Sequence, residues 1–444
     1  MALGAAAFFL SGCALGPSGA SKRSVNALLA AGQYAQAEEY IEKVKETEYG
    51  RKNTVLFYLD KGTVLHHAGK YKESDAALDR AEIRASELYT KSISQAGGML
   101  LLNDTTMDYA GEPFERALLN VFRALNYVFL NKPGEALVES RKAESFLDQL
   151  NRKLEKSNSY KDDAFTRYLD SLLYADLGKL DDARISMEAA TAAYAWYATL
   201  YRTPQPIFDF ASAPAERGEL VFIHYNGVAP RKVSKTWQIV WNEAVAMAHA
   251  SNDTEVRDGR FKNALAAGVT GRAVTVAYPA YVQDPFRVVA SEISVDGRGQ
   301  APTLLMEDIS AIAQRSLADR MAFTKVRAIA RATIKYVLAE QAAKAAAALC
   351  DKQYGANSFG ATMCKGVARG VAHGTAAATE IADTRGWAAL PAQIRLARLK
   401  ISPGKHEVVA RFKDASGAVV STATFKDVII NSAKRTYLHY RTAL

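Results

Sequence analysis

Histidine and cysteine are the side chains of this sequence best suited to chemistry, and their spacing supports little of it. His66 and His67 are adjacent within a stretch of helical apolar spacing. Neighbours on a helix point about 100° apart, which makes a poor chelate for a single metal ion. His373 follows Cys364 by nine positions, the ingredients of a thiolate nucleophile, though a disulfide accounts better for the cysteines. His-Glu-x-x-His, Gly-x-Ser-x-Gly, a phosphate loop and Cys-x-x-Cys are all absent from the sequence. Zinc hydrolysis, a nucleophile elbow, nucleotide binding and dithiol redox chemistry therefore lack their usual signatures. The expectation is a protein that binds rather than catalyses, with no cofactor and no metal ion.

The third cysteine has a different setting. Leu10-Ser11-Gly12-Cys13 follows the apolar run Ala5-Ala6-Ala7-Phe8-Phe9, as at the end of a secretory leader, although no basic residue precedes the run. The string resembles a bacterial lipobox, whose cysteine becomes the lipidated first residue of the mature protein. On that reading residues 1–13 are signal and lipobox, residues 14–24 a tether, and Cys13 the lipidation site. Ala14 in place of an aspartate after the cysteine implies delivery to the outer membrane, facing the periplasm. No later apolar run approaches the ~20 residues that span a bilayer, so the lipid is the expected attachment. With Cys13 acylated in an oxidising compartment, Cys350 and Cys364 are left as an even pair. Tyr354, Gly355, Asn357, Ser358 and Gly360 between them suit a chain reversal, which predicts one disulfide.

The elements that must carry these residues read as α+β. Of the 444 residues, 49% are hydrophobic and 23% charged, a globular balance with length for two or three domains. Over 25–203, four turn strings recur between stretches of helical spacing: Gly32-Gln33-Tyr34, Gly69-Lys70-Tyr71, a weaker Asn131-Lys132-Pro133, and Gly178-Lys179-Leu180, each with a small residue three positions further on. This is the turn of a tetratricopeptide-like helical hairpin: a glycine ends one helix and a small residue lets the next approach. The irregular spacing places an insertion between the second and third hairpins, with the apolar patch Gly97-Gly98-Met99-Leu100-Leu101-Leu102.

Residues 204–393 read as a mixed region. Pro204, Pro206 and Pro214 make a linker, and strands are expected at 219–225, 273–278, 287–295 and 303–306. A long helix follows over 307–349, with Ile312, Phe323, Val326, Ala330, Ile334 and Val337 on one face. Arg320, Arg327, Arg331 and Lys335 form a basic stripe beside that face. Gly366, Gly370 and Gly374 make a ridge expected to pack closely on a neighbouring helix. Residues 394–444 read as four strands of a small antiparallel β-sandwich. From Ile309 onward there are 21 Lys/Arg and 8 Asp/Glu, against a whole-chain net of +9. Such asymmetry implies either an anionic partner such as cell-wall polymer, or attraction between the two parts of the chain.

Several strings carry a family resemblance. Tyr109-Ala110-Gly111-Glu112-Pro113-Phe114-Glu115, Ala124-Leu125-Asn126-Tyr127 and Ala136-Leu137-Val138-Glu139-Ser140-Arg141 are similar to a poorly characterised family of bacterial tetratricopeptide lipoproteins. So are Gly227-Val228-Ala229-Pro230-Arg231-Lys232 and Ala382-Asp383-Thr384-Arg385-Gly386-Trp387-Ala388-Ala389-Leu390-Pro391, and the tail resembles PEGA-type β modules. Glu115, Asn126, Glu139 and Arg141 either line a groove or bond neighbouring helices. Asp383, Arg385 and Trp387 read as a structural knot. The resemblance implies an envelope scaffold holding other envelope proteins, LpoB-like or CsgG-like lipoproteins among them, and no nucleic acid. A cell-wall or anionic-polymer binder using the basic C-terminal third is the second expectation, and a hydrolase with an unrecognised site the third.

Overall fold

The computed structural model describes residues 16–94, 107–154, 159–203, 206, 216–240, 273–378 and 380–443; Cys13, the patch at 97–102, Pro204 and Pro214 lie outside them. The fold is mixed α+β. Eight helices pack as successive hairpins: α1 (Gly19–Ala30) with α2 (Tyr34–Lys43), α3 (Thr54–His67) with α4 (Tyr71–Ser94), α5 (Pro113–Phe129) with α6 (Pro133–Leu154), and α7 (Ala164–Asp176) with α8 (Leu180–Tyr201). No strand occurs among the described residues of 25–203.

The four turns close alike. Gly32, Gly69, Asn131 and Gly178 have φ of 68, 74, 57 and 73°. Each donates its amide three residues back, and the following amide reaches five back, as in Gly69 to the His66 carbonyl (3.0 Å) and Lys70 to the Leu65 carbonyl (2.9 Å). This satisfies the carbonyls that a helix end leaves open. Asn131 holds the position as the non-glycine residue most tolerant of left-handed backbone. The small residues behave as the spacing requires: Ala37, Ala136 and Ala183 are fully buried, and the Ser74 hydroxyl donates to the Gly62 carbonyl at 2.7 Å.

Ten strands follow among the described residues: β1 (Gly218–Asn226), β2 (Arg231–Val240), β3 (Ala273–Val282), β4 (Ala290–Val295), β5 (Arg298–Pro302), β6 (Leu304–Asp308), β7 (Gln393–Ile401), β8 (Gly404–Lys413), β9 (Val419–Ile430) and β10 (Arg435–Thr442). Between β6 and β7 stand the helices α9 (Ile309–Tyr354) and α10 (Phe359–Ala378). Two four-stranded sheets, ordered β10-β1-β7-β6 and β5-β4-β8-β9, enclose Phe222, Ile293, Val408, Phe412 and Ile430; β2 and β3 form a separate ribbon. Strand β1 runs parallel to β10 and antiparallel to β7. Its other face, Val221, Ile223 and Tyr225, joins the core of the hairpin array. With both faces covered, β1 is buried along its whole length, as its unbroken apolar run Leu220-Val221-Phe222-Ile223 allows.

Several expectations change. The four strands at 394–444 are present but do not close on themselves: β7 and β10 flank β1, and β8 pairs with β4. The sandwich is therefore shared between the middle and C-terminal regions. β2 and β5 were not expected; the polar Arg231-Lys232 and Arg298-Gly299-Gln300 mask their strand character. The long helix starts at Ile309, capped by Asp308, whose carboxylate accepts from the Ala311 amide at 2.9 Å. Glu307 is a buried residue of β6, and Phe323 is 52% exposed rather than on the covered face. Gly366, Gly370 and Gly374 face outward, where an added Cβ would meet nothing within 4 Å. The less exposed row of α10 is Ala361, Cys364, Ala368 and Ala372, so alanines make the close approach to α9. Cys350 and Cys364 stand bonded across that hairpin, with Cα atoms 5.8 Å apart.

An added Cβ at Gly178 meets nothing within 4 Å, so its cost is conformational alone. Gly178→Val should destabilise the protein by about 1–2 kcal/mol, while Asn131→Gly should stay within ~0.5 kcal/mol of wild type. Chemical denaturation measures both, and an unchanged midpoint for Gly178→Val would contradict the left-handed turn.

Candidate functional site

The site begins with a stretch that has no regular structure. Residues 380–392, buried or half-buried except for Ile381, run between the hairpin array and the sandwich, so their buried backbone groups must find partners outside a helix or sheet. Two carboxylates supply the acceptors. Glu115 of α5 takes the Trp387 amide at 2.7 Å, and Asp60 of α3 takes the Ala389 amide at 2.8 Å. The Trp387 indole donates to Thr63 at 2.9 Å, and its ring packs 5.6 Å from Phe122. Arg385 forms a two-pronged pair with Asp383 and reaches the Met107 carbonyl at 2.7 Å. The Leu390 carbonyl accepts from the Ala229 amide, and the Asn226 carbonyl from the Ala392 amide.

A cleft opens beside this segment. Its walls come from α1 (Lys22, Asn26), the start of α5 (Phe114, Glu115), the 228–232 string and Gly386 to Leu390. Its volume is about 40 Å³, room for a few waters or a carboxylate-sized group. The strings 227–232 and 382–391 thus meet at one place. Lys232 ties the cleft to a charged cluster behind it: its ammonium donates to Glu112 at 2.6 Å, and Arg320 of α9 bonds the other Glu112 oxygen.

Burial divides the carboxylates. It pushes Asp60 up from the usual 3.8 to about 6 and also raises Glu115, against the hydrogen bonds each accepts. Glu112 and Asp383, half-buried, are held below the usual range: Lys232 and Arg320 draw Glu112 down, and Arg385 and Lys232 draw Asp383 down. Burial, with Lys232 adding repulsion, lowers the Lys22 ammonium.

The adjacent histidines acquire a third partner. Nitrogens of His66, His67 and His439 of β10 lie within 4.8 Å of one another. The geometry nevertheless fits a metal ion poorly. His66 bonds Asn126 at 2.7 Å and the Tyr225 hydroxyl at 2.8 Å, while the buried Arg441 guanidinium sits 3.4 Å from His67. No carboxylate is among the partners of these four residues among the described residues. A dication would therefore sit beside an uncompensated buried cation. Burial lowers His66 to about 4 and keeps His67 and His439 well down. The cluster is neutral aromatic packing between array and sheet.

The remaining expected residues do not share one groove. Glu115 accepts from the Trp387 amide of the 380–392 segment, whereas Asn126 bonds within the array, to His66 at 2.7 Å and to Ser74 at 2.9 Å. Glu139 pairs with Arg123 (3.2 Å) and Lys142 (3.1 Å) on the other side of α5. Arg141 bonds the Tyr174 hydroxyl across α6 and α7. The basic stripe is occupied from within: Arg320 by Glu112, Arg331 and Lys335 by Glu380 at 3.0 and 2.8 Å, and Arg327 lies over the Phe323 ring. The charge asymmetry has the same resolution, since Arg398 and Arg435 both grip Glu219 at 2.7 and 2.6 Å. No family model, curated protein or solved structure matches the chain.

The raised Asp60 sets a sign for pH dependence. Folded protein holds a proton that the unfolded chain releases, so this site gives up stability as pH rises from about 4 to about 6. Relative to wild type, Asp60→Asn should gain roughly 3 kcal/mol between about pH 3.5 and about pH 7. Denaturation across that range checks it, and a difference that does not change with pH would contradict a buried, ionisable Asp60.

Proposed function

We propose that this protein is a lipoprotein of the bacterial envelope, anchored through Cys13 at the periplasmic face of the outer membrane, whose hairpin array holds a segment of another envelope protein. The supporting observation is a groove of about 240 Å³ between α4, α5 and α6. Asn120 of α5 lines it, 5% exposed, with a side-chain carbonyl that has no hydrogen-bond partner. Leaving such a group buried and unmade costs about 1–3 kcal/mol, and a peptide N–H entering the groove would remove that cost. Leu119 and Phe146 offer apolar contact beside it, and Ser86, Ser145 and Gln149 a polar rim. The array acts by binding, and lipoproteins of the LpoB-like or CsgG-like kind are the partners suggested by the sequence resemblance. The polymer-binding alternative receives no support from the stripe at 320–335, whose cations have internal partners.

A photoreactive residue at Ser145, in the groove, should crosslink one envelope protein in intact cells. The same residue at Glu188, on the exposed side of α8, should not. Asn120→Leu should cut the Ser145 crosslink about tenfold, the loss of one buried hydrogen bond. Equal crosslinking from both positions, or a yield indifferent to Asn120→Leu, would contradict the proposal.

A further inference from the structure

The cleft beside Trp387 has a chemistry that the groove between α4, α5 and α6 does not share. Among the described residues the Lys22 ammonium makes one hydrogen bond, to the Thr384 carbonyl at 3.0 Å, and no ion pair. The Lys232 side chain is 3% exposed, and its ammonium also makes one hydrogen bond, to Glu112 at 2.6 Å. Each ammonium carries three N–H donors, so both face the cleft with donors unspent. The nearby anions are committed elsewhere: Glu112 is shared between Lys232 and Arg320, Asp383 is taken by Arg385, Asp284 on the wall is taken by Arg231, and Glu115 on the wall accepts from the Trp387 and Glu112 amides and the Tyr109 hydroxyl. Two lysines at a narrow cleft therefore keep N–H donors beyond the one acceptor each already has.

We propose that the cleft seats the anionic end of an amphipathic ligand, a carboxylate on an apolar stem. Lys22 and Lys232 receive the carboxylate, whose two oxygens offer the acceptor sites that the ammoniums lack. Phe114, Val228, Pro230 and Leu390 line the path of the stem. Gly386 keeps the floor open: a Cβ there would stand 3.5 Å from both Lys232 Cε and Glu115 Oε1, in a space of about 40 Å³. The side-chain carbonyl of Asn26, also on the wall, has no partner and would accept an N–H next to the carboxylate. A polypeptide C-terminus carries that N–H and a simple carboxylic acid does not, so the two sources can be told apart.

The test is calorimetric titration of the full chain with acetyl-Ala-Leu, with its C-terminal amide, and with hexanoate. The free acids should bind and the amide should bind at least about tenfold more weakly. Tighter binding of acetyl-Ala-Leu than of hexanoate identifies a polypeptide C-terminus as the source, and equal binding a simple acid. Lys22→Met, at a partly exposed position, should weaken the acids about tenfold or more. Gly386→Ala should do the same by filling the floor while leaving both ammoniums in place. Saturation absent up to about 10 mM, an amide that binds as well as the acid, or an affinity unmoved by Lys22→Met would overturn the assignment.

Discussion

One requirement organises the junction of helices and strands: an irregular, largely buried stretch of backbone must have its amides satisfied. Residues 380–392 lie between the hairpin array and the sandwich without the internal bonds of a helix or a sheet. Asp60 and Glu115 project from α3 and α5 to accept from Ala389 and Trp387. Removing either acceptor leaves a buried N–H unmade, a larger loss than the bond itself is worth. The carboxylates also pin the chain leading into their own helices, since Asp60 accepts from the Tyr49 hydroxyl at 2.8 Å and Glu115 from the Tyr109 hydroxyl at 2.6 Å.

A second layer of the same junction is ionic. Glu219 of β1, almost wholly buried, lies between Arg398 of β7 and Arg435 of β10, and Arg435 continues to Asp176 and the Leu172 carbonyl of α7. Such groups are expensive to bury singly and tolerable only together, which ties the last hairpin to the sheet in one arrangement. Charge that the sequence segregates along the chain is thus recombined in space. Part of the excess of cations in the C-terminal third pairs with acids from earlier in the chain, at Glu112, Asp176, Glu219 and Glu292.

The hairpins were legible because their signal is local: a residue able to adopt positive φ, then a small residue at fixed spacing. The strands at the C-terminus were legible for the same reason, through alternation such as Val408, Ala410 and Phe412. Their partners were not, because pairing β1 with β10 joins residues more than two hundred positions apart, and nothing in either strand names the other. The knot shows the same limit. Asp383, Arg385 and Trp387 stood out as a string, but their acceptors Asp60 and Glu115 lie in other elements, and Asp60 carried no signal at all. His439 alternates with Tyr437 and Arg441 along β10, yet only the folded topology brings it to His66 and His67. Lys22 read as part of a tether, and its place at the cleft appears only once α1 lies beside the 228–232 and 382–391 strings.

The central claim is that the 380–392 segment makes array and sandwich a single cooperative unit. Native-state hydrogen exchange at the Trp387 and Ala389 amides tests it most directly, with amides of β1 and α5 as internal references. If the segment is the lock, all four exchange only through global unfolding, with equal opening free energies and equal denaturant dependence. Exchange at Trp387 and Ala389 through a local opening, with β1 and α5 still protected, would contradict it.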